Sequence, residues 1–160
     1  MVDRGNPSAR VLFVGEGPGA EEDRLGLAFV GRSGKLLDSM LREADIDPEK
    51  DVIIANVVKC RPPDNRAPSR TEVESCFPYL ARQIELLRPE VVGLLGATAA
   101  KHLLRSHDTR RVSKIAGNFL KETAYPETDI MVLFHPAYIL RNRTKRRDMV
   151  AHLRRIRARL

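Results

Sequence analysis

Four acids crowd one glycine-rich turn near the start of the chain. Glu16, Glu21, Glu22 and Asp23 sit in or just after Gly15-Glu16-Gly17-Pro18-Gly19. Glycines at such a turn let backbone N–H groups approach a ligand closely, because no Cβ intervenes. A phosphate cradle would want cations here, and neither G-x-x-x-x-G-K-[ST] nor G-x-G-x-x-G is matched, since position 20 is Ala. An acidic turn suits a neutral ligand, an activated water or a developing positive charge. It equally suits a solvated helix start, where acids are ordinary.

Three further residues have chemistry that complements this turn. Asn56 offers one acceptor and two donors in a fixed plane, which matches the alternating edge of a nucleobase. Phe29 offers a flat face for stacking. His135 offers a donor for a carbonyl oxygen. Each has an ordinary structural role as well: Asn56 as a strand-end turn, Phe29 as core, His135 before Pro136 as a satisfied histidine.

The elements that position these residues can be read from apolar runs. Val11–Val14, Val52–Ala55, Val91–Leu95 and Ile130–Phe134 are short and almost wholly apolar, the pattern of strands buried on both faces of a parallel sheet. Between them lie helical patterns. Leu36, Leu37, Met40, Leu41 and Ala44 share a face within 33–44; Ser69 with Glu72 makes a capping box for a helix burying Val73, Phe77, Leu80, Ile84 and Leu87, with a kink expected at Pro78. Residues 143–160 form a basic amphipathic helix with Met149, Leu153, Ile156 and Leu160 inward. The alternation predicts one α/β domain over residues 10–160, a three-layer α/β/α sandwich around a mostly parallel four-stranded sheet, after a frayed start over 1–9. Gly15-Glu16, Asn56, Gly96 and His135 then follow strand carboxyl ends and line one crevice.

Composition narrows the partners. Of a net charge of +7, residues 141–160 carry nine Lys and Arg against one acid, leaving the rest near neutral. A basic patch at one end points to a polyanion, nucleic acid before membrane. No apolar run approaches the ~20 residues of a membrane span, and no signal-peptide core appears, so a cytoplasmic protein without membrane attachment is expected. Two cysteines, Cys60 and Cys76, make no disulfide framework.

In sequence order, Gly15-Glu16-Gly17-Pro18-Gly19 with Glu21-Glu22-Asp23, Phe29-Val30-Gly31, Gly34-Lys35-Leu36-Leu37, Asn56 to Pro63, Asn65-Arg66-Ala67-Pro68, Leu95-Gly96-Ala97 and His135-Pro136-Ala137-Tyr138 resemble the family 4, thermostable type, uracil-DNA glycosylases. The resemblance runs from about Arg10 to Arg143. It implies hydrolysis of the N-glycosidic bond of uracil in DNA, leaving an abasic site for base excision repair. Gly15, Glu16, Phe29, Asn56 and His135 then resemble the uracil pocket. By that resemblance Asn56 is expected as the reader, Phe29 as the stacking aromatic and His135 as the group that steadies the departing uracilate, with Glu16 in the motif that positions water. Glu22 and Asp23 are secondary candidates for catalysis. Residues 137–143 are expected as a loop whose Tyr138, Ile139 and Leu140 wedge into DNA while Arg141 and Arg143 grip phosphates; Arg61 and Arg66 hold the backbone on the other side.

The family also implies a [4Fe–4S] cluster on four cysteines. Cys60 and Cys76 match two of them, and the other two have no counterpart in this sequence. The expectation is a monomer acting on uracil-containing DNA, needing no cofactor for the chemistry and folding without four-thiolate iron. Two other classes compete. A uracil-DNA binding protein without turnover would carry a basic, histidine-bearing insertion beside the pocket, and residues 29–33 hold none. A nucleotide-binding transferase would place phosphates on the 15–19 turn, against its acids.

Overall fold

The computed structural model describes residues 2–160. A six-stranded sheet runs through the molecule. Its strands are β1 (Arg4–Gly5), β2 (Val11–Gly15), β3 (Val52–Asn56), β4 (Val91–Leu95), β5 (Phe119–Glu122) and β6 (Tyr125–Leu133), in the spatial order β1-β3-β2-β4-β6-β5. The inner four are parallel, as the apolar runs require. The two edges are antiparallel and were not foreseen.

The sequence explains the layers. Along β2, Val11 and Phe13 face one side and Leu12 and Val14 the other, as a period of two demands. All four are fully buried. On the first side pack α2 (Arg32–Glu43), through Leu37, Met40 and Leu41, and α7 (Arg146–Arg157), through Met149, Leu153 and Ile156. On the second lie α3 (Arg70–Leu87), through Val73, Leu80 and Ile84, and α4 (Ala97–Leu103), through Ala99, Ala100 and Leu103. Each large apolar side chain so placed contributes about 1.5–3 kcal/mol by leaving water. Ser69 and Glu72 cap α3 reciprocally, and the helix continues through Pro78.

Three further α-helices are short, α1 (Ala20–Leu25), α5 (Val112–Ile115) and α6 (Pro136–Arg141), and 3₁₀ turns lie at Pro63–Asn65 and Arg143–Lys145. Residues 137–141 are therefore helical, where a loop was expected. Pro136 is the reason, since its fixed φ suits the first helical position.

The start of the chain also departs from expectation. Met1 lies outside the described residues, but residues 2–9 are held rather than frayed. Val2 donates to Gly26 O at 2.8 Å and accepts from Ala28 N at 3.0 Å. Strand β1 pairs with β3, Arg4 opposite Ile54. The Arg4 guanidinium binds Ala28 O at 2.7 Å, Phe29 O at 2.8 Å and Asp38 Oδ1 at 2.7 Å. No apolar period announces this segment; its order comes from partners far along the chain.

Candidate active site

The carboxyl ends of β2 and β3 adjoin, with Gly15 opposite Asn56, and β6 delivers His135 two residues past its end. Together with the loop around Phe29 they enclose a cavity of about 240 Å³, the volume of a small heterocycle with room for water. Glu16, Glu22, Phe29, Asn56, Arg66 and His135 all line it, beside Gly17, Pro18 and Gly19. Gly15, expected in the pocket, does not line it but packs against two residues that do: a Cβ there would come within 2.6 Å of Asn56 Oδ1 and overlap the Phe29 ring.

Structure separates the acids of the first turn. Glu22 spends both oxygens on main-chain amides, taking Gly19 N at 3.1 Å on one and Val30 N at 2.9 Å and Gly31 N at 2.6 Å on the other. It caps α1 and straps the Phe29 loop to that helix. Glu21 pairs with Arg24 at 2.7 Å and Asp23 is exposed. These acids sit in the first turn of α1, where the helix N-terminus favours negative charge. Glu16 alone of the four lies before the helix, and its Oε2 accepts from Thr98 Oγ1 of α4 at 2.6 Å. Thr98 was not foreseen as a site residue; it falls in the helix start after Gly96, and nothing in the sequence ties it to Glu16.

Phe29 is 6% exposed and adopts φ 51°, a left-handed conformation rare for an aromatic residue. Such backbone persists only where its surroundings enforce it. Arg4 and Glu22 supply that restraint through the carbonyls and amides of 28–31. Gly34 permits it: a Cβ at 34 would overlap the Phe29 carbonyl and stand 2.8 Å from its Cα. The Phe29 and His135 rings lie 5.8 Å apart, tilted by 35°.

His135 is the N-cap of α6, and its Nδ1 accepts from Ala137 N at 3.0 Å. The neutral ring therefore carries its proton on Nε2. Burial pushes its pKa below the ordinary 6.5, the Glu16 carboxylate opposes that, and Arg141 reinforces it. At neutral pH the cavity thus holds an uncharged imidazole N–H donor. Asn56 is 1% exposed, and its carbonyl accepts from Lys59 Nζ at 2.9 Å.

Around the mouth, the expected wedge is only partly free to meet DNA. Ile139 is buried at 1% in the core shared with α2 and α7, so it is unavailable for DNA. Tyr138 is exposed, backed by the Phe134 ring at 5.6 Å, which His152 supports in turn at 5.9 Å. Arg141 and Arg143 are exposed. Arg66 borders the cavity but is bound on both nitrogens by Glu72, at 2.9 and 2.6 Å, and this bond is the main cause that pushes the Glu72 pKa down to about 2. Arg61 lies outside the cavity, with its Nε on Asn65 Oδ1 at 2.7 Å.

Cys60 is exposed and Cys76 half-buried; both border a second cavity, where Cys76 Sγ accepts from Lys59 N at 3.1 Å. Among the described residues no group of three or more His, Cys, Asp or Glu is placed to hold a metal ion. Two thiolates do not meet the demand of a four-thiolate cluster, so these residues do not by themselves fit one.

A mostly parallel sheet with a pocket at its carboxyl edge, lined by apolar and a few polar side chains, is the usual ligand site of an α/β fold. Residues 2–159 match the uracil DNA glycosylase superfamily, and the chain belongs to that family. It is 47% identical over 146 residues to a type-4 uracil-DNA glycosylase of Thermotoga maritima, covering 90% of this chain and 73% of that protein. It is 42% identical over 139 residues to the type-4 enzyme of Archaeoglobus fulgidus, covering 85% and 69%. A type-4 enzyme of Sulfurisphaera tokodaii is 39% identical over 165 residues, covering 96% and 71%.

Proposed function

We propose that this chain removes uracil from DNA by hydrolysing its N-glycosidic bond. The observation that carries this reading is the cavity itself, in which an amide, an aromatic ring, a neutral imidazole and a carboxylate meet around space for one base with room for water. The target nucleotide leaves the stack to reach it. Asn56 meets the O4 and N3–H edge that distinguishes uracil from cytosine, and the base lies against Phe29. As the bond breaks, negative charge grows on the base and positive character on the sugar. His135 Nε2–H donates to O2, where the charge develops. Glu16, steadied by Thr98, faces the sugar and the incoming water. Both act more strongly on the transition state than on the ground state. Glu22 serves this scheme by holding the Phe29 loop, and it needs no proton transfer of its own.

At the pocket's rim Arg66, and outside it Arg61, Arg141 and Arg143, contact phosphates without regard to sequence, and Tyr138 fills the place the base has left. No cofactor enters the scheme, because charge stabilisation and a water suffice. Excision by Asn56→Asp tests the base-reading assignment. A carboxylate reverses part of the donor and acceptor pattern, so uracil excision falls and cytosine becomes a better substrate relative to it. Unchanged excision of uracil and unchanged rejection of cytosine would remove Asn56 from the reading role.

A further inference from the structure

The turn that carries Asn56 is braced from behind by a half-buried polar triad, at the edge of a surface cavity, that uracil excision as proposed does not use. Lys59 Nζ donates to Asn56 O at 2.9 Å and to Gln83 Oε1 of α3 at 2.7 Å, and stands 3.6 Å from Asp3 Oδ1. Gln83 Nε2 closes the ring by donating to Asp3 Oδ2. The side chains of Lys59 and Asp3 are only 16% and 12% exposed. Burial pushes the Lys59 ammonium pKa down, with the Asp3 carboxylate opposing.

A lysine is an expensive residue to place here. Withdrawing an ion pair even partly from water carries a desolvation cost, and apolar replacements of like volume are often as stable. Such a pair does one thing an apolar side chain cannot: it directs hydrogen bonds at a chosen atom. That atom is the carbonyl of Asn56. The N-terminal segment and α3 meet on the ammonium that holds it. The same turn is fastened on its other side, Val57 N to Gly15 O at 2.9 Å and Val58 N to Glu16 O at 3.1 Å. Residues 56–59 are thus held between the acidic turn and α3.

We propose that Lys59, with Asp3 and Gln83, is a positioning residue for base recognition: it fixes the main chain of Asn56 and so sets where the side-chain amide meets the base. The proposal rests on Asn56 as the reader. Misplacing a recognition group by about 1 Å from its productive geometry costs up to ~10²-fold. Losing one of the hydrogen bonds that hold Asn56 should cost less, on the order of 10-fold.

The test uses Lys59→Met, which keeps the length and apolar body of the side chain. Three quantities are measured: inhibition by free uracil, single-turnover excision at saturating DNA, and affinity for uracil-free duplex. Uracil inhibition and excision should each weaken by about 10-fold while duplex affinity stays within about twofold, and Lys59→Arg should recover part of the loss. In an Asn56→Ala background, Lys59→Met should add little, because both act through one amide. A purely structural lysine would lower the melting temperature, leave uracil inhibition intact and add fully to Asn56→Ala; that result overturns the proposal. If Asn56→Ala alone leaves uracil inhibition untouched, the reading of Asn56 fails instead, and the brace with it. Should Lys59→Met not fold, Gln83→Leu and Asp3→Asn carry the same expectation and the same refutation.

Discussion

Replacing His135 by leucine deletes one N–H from the cavity while keeping the volume roughly filled. Two costs follow, and the structure keeps them apart. The first is local. His135 Nδ1 caps Ala137 N at 3.0 Å, and losing an N-cap costs about 0.5–2 kcal/mol. For a chain of this length, 1 kcal/mol moves the melting temperature by about 2–4 °C. Burying a leucine where a desolvated imidazole stood offsets part of that, so a fall of a few degrees is expected. The second cost is catalytic. Removing one preorganised donor from a developing oxyanion costs about 2.7–4 kcal/mol, or 10²- to 10³-fold in rate. Single-turnover excision at saturating uracil DNA should drop by that factor, with DNA affinity little changed. A rate within threefold of the parent, or a loss confined to DNA affinity, would refute the assignment of His135 as the oxyanion donor.

The same residue sets a pH signature. Its folded pKa lies below the ordinary 6.5, so the fold binds fewer protons than the unfolded chain just below that value. The His135 contribution to stability is therefore fully present above pH 6.5 and declines as pH falls through 6.5 towards the folded pKa; excision should stay level from pH 8 to 6.5 and fall only below it, whereas a rate that rises on protonation would contradict a neutral donor. Thr98→Val removes the 2.6 Å hydrogen bond to Glu16, which as a charge-assisted bond is worth about 1.5–3 kcal/mol, so single-turnover excision should slow by about 10- to 100-fold with DNA affinity kept. Gly34→Ala drives a methyl into the Phe29 carbonyl and should weaken inhibition by free uracil more than it lowers duplex affinity. Arg141→Ala with Arg143→Ala should weaken binding to any duplex and reduce the dependence of log affinity on log salt by about 2; an unaltered slope would show that neither side chain meets phosphate.

The inner sheet was legible because parallel strands buried on both faces must be apolar at every position, and Val11–Val14, Val52–Ala55 and Val91–Leu95 are. That topology brings Glu16, Asn56 and His135 to one cavity, whereas Gly96, expected beside them, borders a neighbouring cavity and Phe29 arrives on a loop. The edge strands were hidden for the opposite reason. Arg4–Gly5 has no apolar side, and Phe119–Glu122 sets two apolar residues before a lysine and an acid, with no alternation; pairing partners, not local pattern, make them strands. Ile139 shows how an apolar residue near a binding surface can be core once a helix turns it inward. The contacts of Arg4 with the Phe29 loop, Thr98 with Glu16 and Glu22 with three amides span 8 to 82 residues for all but one bond. No spacing rule reaches across such gaps. Among the described residues no helix is long and apolar enough to cross a membrane.

The most direct measurement is the amount of free uracil released under multiple turnover from duplex DNA bearing one uracil, set against the abasic sites formed. The account predicts equal amounts of both, in excess of the protein added, with none from the matched cytosine duplex and with Asn56→Ala and His135→Leu slowed at least 10²-fold. Tight binding of uracil DNA without released base, or release that stops at one equivalent of protein, would contradict it.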